Sequence, residues 1–185
     1  MKKNPKIEKI YAFLGLPGSG KGTQVTKFAK KIDAAVLSIG DLIREEIKKA
    51  DETDPIHKEM IERYNQGVPQ TDELVFDLIE KRLKQANQNI IFDNFPFSED
   101  QALHFFKLCQ KFHLESPRLI VIEISDKTSL ERIIYRKICS DCGNITIDSG
   151  SSICEKCGGP LVSRADDNAE RSEEHTSELQ SRQVI

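Results

Sequence analysis

The feature that most constrains this chain is a glycine-rich run near its start, Gly15-Leu-Pro-Gly-Ser-Gly-Lys-Gly-Thr23, which contains the pattern GxxxxGK. The apolar run from Lys9 to Leu14 precedes it and is typical of a buried strand. Behind it, apolar residues recur at the spacing of an amphipathic helix: Val25, Phe28, Ala29 and Ile32. A strand, a glycine loop and a helix in this order predict a phosphate-binding loop, because main-chain N–H groups and the helix N-terminus converge on anionic oxygens.

The rest of the chain alternates between predicted strands and helices. The strands are predicted at 34–38, 89–92 and 118–124, and the helices at 41–50, 55–65, from 72 onwards, 98–112 and 126–137. Such alternation indicates parallel βαβ units, and with the glycine loop it predicts a P-loop NTPase fold, α/β with three α/β/α layers around a parallel sheet. Residues 139–163, rich in Gly, Ser and Cys, interrupt the alternation and predict a small inserted lobe.

Four of the five cysteines form two CxxC pairs inside that lobe. Cys139 and Cys142 are separated by eleven residues from Cys154 and Cys157, which is a spacing typical of a tetrahedral thiolate zinc site. Four protein ligands leave no position for water, so we expect the Zn²⁺ to be structural. The fifth, Cys109, lies in an apolar helical pattern and is predicted to be a buried small hydrophobe.

Charge and hydropathy exclude several classes of protein. The 27 Lys and Arg residues are balanced by 30 Asp and Glu, giving a net charge of −3, so we expect no nucleic-acid partner. A zinc-ribbon nucleic-acid module is the competing class, but acidic residues outnumber basic ones between Cys139 and Cys157. No apolar run reaches the ~20 residues of a membrane span, and the start of the chain does not resemble a secretory signal. We therefore expect no membrane partner and a cytoplasmic protein.

Several motifs together resemble the adenylate kinase family of nucleoside monophosphate kinases. The glycine loop matches GxPGxGKGT, and Asp93-Asn-Phe-Pro96 resembles the family's DGFP motif. Further matches are Ser38-Ile-Gly-Asp-Leu-Ile-Arg44, Gly67-Val-Pro-Gln-Thr-Asp-Glu-Leu-Val75 and Arg164-Ala-Asp-Asp167. The resemblance implies a kinase core over residues 1–170, a monophosphate-binding segment over 38–70 and a zinc lid over 136–167. It also implies reversible phosphoryl transfer from ATP to AMP with Mg²⁺, by a monomer.

The resemblance assigns roles to individual residues. It implies that ATP binds to the glycine loop and to one arginine of the lid, Arg136. The loop residues concerned are Gly18, Ser19, Gly20, Lys21, Gly22 and Thr23. The catalytic residues are Lys21, Asp93, Arg132, Arg136 and Arg164, since phosphoryl transfer needs cations and a Mg²⁺-holding carboxylate more than covalent chemistry. The acceptor is expected on Ile39, Arg44, Gln70, Asp93, Gln101 and Arg164, where the Gln101 amide matches the edge of adenine.

Two positions depart from the family pattern. Phe97 stands where DGFPR has its arginine, and Ile39 stands where a hydroxyl residue is usual. Hydrogen bonds to a charged group are worth roughly 1.5 to 3 kcal/mol each, so a missing arginine weakens turnover. Two alternatives follow: a kinase for another nucleoside monophosphate, or a nucleotide-binding relative with weak catalysis.

The last residues, 171–185, differ in character from the rest. Their apolar residues are Leu179, Val184 and Ile185, too few for a core element. The string looks like a translated sequencing adapter, and we interpret it as a non-native tail that leaves the kinase core incomplete. The alternative is a polar surface helix continuing from Asp166.

Overall fold

The computed structural model describes residues 7–51, 53–66, 68–147 and 150–163. They divide into two units. The first unit comprises residues 1–14 and 21–121, and the second comprises residues 15–20 and 122–185. The segment 171–185 and Arg164 lie outside the described residues, so their interpretation stays a prediction.

A four-stranded sheet forms the centre of the first unit. Its strands are β1 (Ile10–Gly15), β2 (Ala34–Ser38), β3 (Asn89–Asp93) and β4 (Arg118–Ile122), in the order β2-β3-β1-β4. Strand β3 pairs in parallel with both β1 and β2, and Asp93 is the register partner of both Phe13 and Ser38. The carboxyl ends of three strands therefore meet at one edge of the sheet. The predicted parallel α/β fold is confirmed.

The described part of the same unit has five helices: α1 (Lys21–Ile32), α2 (Ile39–Ile47), α3 (Pro55–Asn65), α4 (Asp72–Gln85) and α5 (Glu99–Lys111). Side-chain caps explain where two of them begin. Thr71 Oγ1 accepts from the Leu74 N–H at 3.4 Å, and Ser98 Oγ accepts from the Gln101 N–H at 3.1 Å. Both helix starts were predictable from their hydroxyl residues.

The core of this unit lies around β3. Ile90, Ile91 and Phe92 are fully buried, as expected for a central parallel strand. Rings pack edge to face around them, with Phe92 and Phe105 at 4.7 Å between centroids. Cys109 is also buried there, which confirms it as a packing residue. This rigid strand fixes the position of Asp93 at its end.

The second unit contains α6 (Asp126–Ile134) and a small antiparallel sheet. Its strands β5 (Arg136–Cys139), β6 (Ile145–Ile147) and β7 (Leu161–Val162) lie in the order β6-β5-β7. The helix predicted over 126–137 was too long: α6 ends at Ile134, and Arg136 already pairs with Ile147 in the sheet. Pairing with residues distant in sequence overrides the helical pattern here.

Among the described residues, every helix is too short or too polar to span a lipid bilayer.

Candidate active site and metal centre

Glycine is required at two positions of the loop 15–20. Gly15 has φ +152°, and a Cβ there would stand 2.5 Å from the Ile122 carbonyl oxygen. Gly18 has φ +74°, and a Cβ there would stand 3.2 Å from Cβ of Arg132. Both the left-handed backbone and the close approach exclude side chains. The glycine pattern therefore reflects how tightly the loop packs in the second unit.

Helix α6 holds the loop through two side chains. Ser129 Oγ donates to the Pro17 carbonyl at 2.7 Å, and Arg132 Nη1 donates to the Gly18 carbonyl at 3.1 Å. The two residues are three apart and so share one face of the helix. The structure thus brings the predicted Arg132 to the loop. It also reveals Ser129, which the sequence analysis missed and which only its spacing from Arg132 could have indicated.

Ser19 carries the loop's unsatisfied hydroxyl. Its main-chain N–H donates to the Leu16 carbonyl at 3.1 Å, which closes a turn. Its Oγ is buried and has no hydrogen-bond partner among the described residues. A buried hydroxyl is normally paired, and a phosphate oxygen would supply the missing acceptor. Ser19 therefore fits its predicted role.

Lys21 and Asp93 interact within the first unit. Lys21 opens α1, whose first turn also holds Gly22 and Thr23, and Asp93 ends β3. Burial raises the pKa of the Asp93 carboxyl above its ordinary value, the nearby Lys21 opposes that shift, and Asp41 adds to it. Oδ1 of Asp93 is buried with no partner among the described residues. An unsatisfied carboxylate oxygen is the donor that Mg²⁺ prefers, so the residue fits a magnesium ligand.

Arg44 is engaged by its own helix turn. Its Nη2 donates to Asp41 Oδ1 at 2.6 Å. Burial acts to lower the pKa of Arg44, but the ion pair with Asp41 and a hydrogen bond with Tyr64 outweigh it, and the net pKa is raised. The guanidinium is about half exposed, so it is permanently charged and accessible to an anion. Asp41 and Tyr64 are partners that the sequence analysis did not anticipate.

Gln101 is held at both ends of its amide. Its Oε1 accepts from the Phe97 N–H at 3.0 Å, and its Nε2 donates to Asp72 Oδ1 at 2.5 Å. Ser98 and Gln101 have the spacing of a capping box, and the Ser98 half of that motif is present. The glutamine side chain bonds to Phe97 instead of returning to the N-cap residue.

Two other predicted acceptor residues behave differently from each other. Gln70 Nε2 donates to the Met60 carbonyl at 3.0 Å, and its Oε1 is buried without a partner among the described residues. That oxygen can accept a hydrogen bond from a ligand. Ile39 packs against the hydrophobic core as the first residue of α2. This contact with the core accounts for an apolar residue at a position where the family resemblance expects a hydroxyl.

The four predicted metal ligands converge. Sγ of Cys139 and Cys157 lie 3.4 Å apart, Sγ of Cys142 and Cys154 lie 3.7 Å apart, and all four atoms lie within 4.8 Å of one another. A tetrahedral zinc with bonds of about 2.3 Å would place its sulfurs roughly 3.8 Å apart, so the arrangement fits Zn²⁺.

Main-chain turns build the cysteine cluster. The Gly143 N–H donates to the Cys139 carbonyl at 3.0 Å, and the Gly158 N–H donates to the Cys154 carbonyl at 2.8 Å. Burial acts to raise the pKa of the Cys154 thiol, but main-chain hydrogen bonds from Lys156 and Cys157 outweigh it and lower the pKa to about 7. A thiol of low pKa supplies a thiolate for metal binding at neutral pH.

Arg136 lies on the opposite side of the small sheet from the cluster. Side chains alternate along a strand, so Arg136 and Ile138 share one face of β5, and Cys139 lies on the other. The cross-strand partners Ile145 and Ile147 extend the Arg136 face. A metal on the cysteines can therefore stiffen the sheet without obstructing Arg136.

Comparisons with known proteins agree on one family. A family model described as adenylate kinase matches residues 13–182. The adenylate kinase of Fervidobacterium nodosum is 36% identical over 162 residues, covering 84% of this chain and 73% of that protein. The adenylate kinase of Elusimicrobium minutum is 34% identical over 166 residues (87% of this chain, 76% of that protein), and that of Petrotoga mobilis is 31% identical over 163 residues (85% and 74%).

Proposed function

Because this chain belongs to the adenylate kinase family, we propose that it transfers the γ-phosphoryl group of ATP to AMP and releases two molecules of ADP. An oxygen of the AMP phosphate forms a bond to the γ-phosphorus, and the bond from that phosphorus to the β–γ bridging oxygen breaks. The observation that carries the proposal is the glycine loop with its unsatisfied Ser19 hydroxyl and the arginine fixed to the Gly18 carbonyl.

The donor phosphates are assigned to the loop and its cations. The main-chain N–H groups of Gly18 and Gly20 and the Ser19 hydroxyl are proposed to bind the phosphate oxygens, whereas the Ser19 N–H donates to the Leu16 carbonyl. Thr23, like Gly22, lies in the first turn of α1, where the helix N-terminus favours an anion. Lys21, Arg132, Arg136 and Arg164 are the proposed cations that neutralise charge on the moving phosphoryl group.

The acceptor nucleotide is assigned to the monophosphate-binding segment. Arg44 is charged and half exposed, which suits it to bind the AMP phosphate. Gln70 and Gln101 offer amide groups to the base, and Ile39 an apolar contact. Asp93 would hold Mg²⁺, which when bound bridges phosphate oxygens and offsets their charge. Zn²⁺ on the four cysteines has a structural role.

Phe97 supports a second candidate function. Its side chain is 40% exposed, and it follows Pro96 at the position where the family resemblance expects an arginine. Without that cation the chain would bind nucleotides and transfer phosphate weakly, or prefer another nucleoside monophosphate. We propose AMP as the acceptor and keep CMP, UMP and GMP as alternatives. We further propose a cytoplasmic monomer with ATP as donor and no nucleic-acid partner.

A coupled assay of ADP formation tests the proposal. With ATP and Mg²⁺ present, AMP is expected to give two ADP per ATP consumed, and CMP, UMP and GMP to give far lower rates. Lys21→Met should reduce kcat at least about a hundredfold, and Lys27→Met, an exposed substitution on the same helix, should not. ATP binding in calorimetry with no ADP from any acceptor would favour the weak-catalysis alternative.

A further inference from the structure

Asp72 makes a contact that helix formation does not require. It is the first residue of α4, and its Oδ1 accepts from Nε2 of Gln101 on α5 at 2.5 Å. The start of α4 is already capped by the Thr71 hydroxyl, and the start of α5 by the Ser98 hydroxyl. The bond between Asp72 and Gln101 therefore serves to fix the two side chains relative to each other.

This contact determines which way round the Gln101 amide lies. A carboxylate can only accept hydrogen bonds, so the amide atom facing Asp72 must be the nitrogen. A peptide N–H can only donate, so the atom facing Phe97 must be the oxygen, and Oε1 accepts from it at 3.0 Å. Reversing the amide would bring oxygen against carboxylate and nitrogen against N–H. One orientation is therefore strongly favoured.

The fixed amide retains groups that a base can use. Nε2 has two hydrogens and Oε1 has two lone pairs, and each gives one to its partner. A 6-aminopurine presents a donating amino group beside an accepting ring nitrogen. A 6-oxopurine presents an accepting oxygen beside a donating ring N–H. The two edges require opposite orders of donor and acceptor in the amide.

We propose that Asp72 is a positioning residue that sets the acceptor specificity: by locking the Gln101 amide, it selects a 6-aminopurine monophosphate over a 6-oxopurine monophosphate. The inference rests on the proposed function, in which Gln101 reads the acceptor base. Asp72 acts through Gln101. When the Asp72 carboxylate is removed, the Gln101 amide can reverse, because only the weaker hydrogen bond from the Phe97 N–H still opposes the reversal.

The test compares AMP with IMP, which differ at the 6-position of the purine and at the adjacent ring nitrogen. In Asp72→Asn the amide at position 72 can accept or donate, so it is satisfied by either orientation of Gln101, and only the Phe97 N–H still favours the original one. We expect the ratio of kcat/KM for AMP to that for IMP to fall about tenfold, the typical effect of losing a charge-assisted hydrogen bond. The change should arise from KM for both nucleotides, with kcat for AMP nearly unchanged.

Glu73→Gln is the matched control, since it removes the same charge from the same first turn of α4. It should leave the AMP to IMP ratio at the wild-type value. Asp72→Ser, which removes the carboxylate without adding an amide, is a second variant with the same expected fall should Asp72→Asn not fold. With Gln101→Ala in the background, Asp72→Asn should change the ratio no further.

An unchanged ratio in a folded Asp72 variant would overturn the inference, as would an equal change in Glu73→Gln. Failure of the proposed function has a different signature, namely no ADP from wild-type protein with any acceptor. In that case calorimetric Kd values for AMP and IMP replace the rates. The preference for AMP over IMP, measured as the ratio of these Kd values, is expected to fall about tenfold in Asp72→Asn. An unchanged ratio would overturn the inference.

Discussion

Ser129 Oγ donates a 2.7 Å hydrogen bond to the carbonyl oxygen of Pro17, so a buried residue of α6 is tied directly to the glycine loop. Three residues further along the helix, Arg132 repeats the arrangement at the Gly18 carbonyl. These carbonyls point towards α6, which fixes the orientation of the peptide planes between them. In the proposed function, this fixed loop is preorganised for phosphate before any ligand arrives.

Ser129→Ala should therefore weaken ATP binding. It removes the hydrogen bond to the partly buried Pro17 carbonyl, at a cost of about 1 kcal/mol or more. We expect the Kd for ATP, measured by calorimetry, to rise about tenfold and the thermal midpoint to fall by a few degrees. Lys127→Ala, an exposed change on the same helix, is the control. An unaltered Kd in Ser129→Ala would show that the loop holds its shape without α6.

The glycine loop and the zinc cluster were the parts most predictable from sequence. Both depend on residues close together in the chain, where spacing fixes geometry: the loop through glycines at left-handed φ, the cluster through two CxxC turns. The strand ends were predicted within a residue or two for β2 and β3, because apolar runs bounded by polar residues mark buried strands.

Contacts between distant residues were not predictable in this way. The bond between Asp72 and Gln101 joins residues 29 apart, and nothing local marks Asp72 as more than a first-turn helix acid. Helix α6 ends earlier than predicted for a similar reason, because Arg136 pairs with Ile147 of β6, which lies further along the chain. The family resemblance predicted roles for individual residues, but it did not predict which partners hold them.

Asp93→Asn should separate stability from activity. Burial raises the pKa of the folded-state carboxyl above its ordinary value, so the folded protein binds this proton more tightly than the unfolded chain does. The free energy of unfolding therefore decreases once the pH exceeds the ordinary carboxyl pKa, because the folded protein must then hold an ionised Asp93. At lower pH the carboxyl is protonated in both the folded and the unfolded chain, and the free energy of unfolding is not reduced. The uncharged amide avoids that cost at neutral pH.

Without Mg²⁺, thermal melts of Asp93→Asn and wild type should coincide near pH 3 and diverge as the pH rises to 7, with the variant the more stable. The same variant should lose at least about a hundredfold in kcat, because the proposed magnesium ligand is gone. Asp77→Asn, an exposed change on α4, should alter neither measurement. A variant less stable than wild type at pH 7 would contradict the assignment of Asp93 as a desolvated carboxylate with an unpaired Oδ1.

Zinc removal should unfold the small sheet of the second unit. We expect one zinc per chain by atomic absorption, and Cys142→Ser should reduce that content because one tetrahedral ligand is lost. Structural zinc contributes on the order of 10 kcal/mol to local folding, so limited proteolysis should then cut within 139–163. Cys109→Ala is the control: burial raises the pKa of that thiol to about 12, and it lies outside the cluster. Full zinc content in Cys142→Ser would contradict the four-cysteine site.

Phe97→Arg should increase phosphoryl transfer to AMP. Phe97 is 40% exposed, so a longer charged side chain can be accommodated without disturbing the core. Its main-chain N–H already holds Gln101, and the substitution leaves that bond in place. A guanidinium at this position can bind the acceptor phosphate in a bidentate manner, and we expect kcat/KM for AMP to rise at least about tenfold. Phe106→Arg, which adds the same charge at an exposed position of α5, should leave the kinetics as they were. Equal kinetics for Phe97→Arg and wild type would show that another cation has replaced the missing arginine.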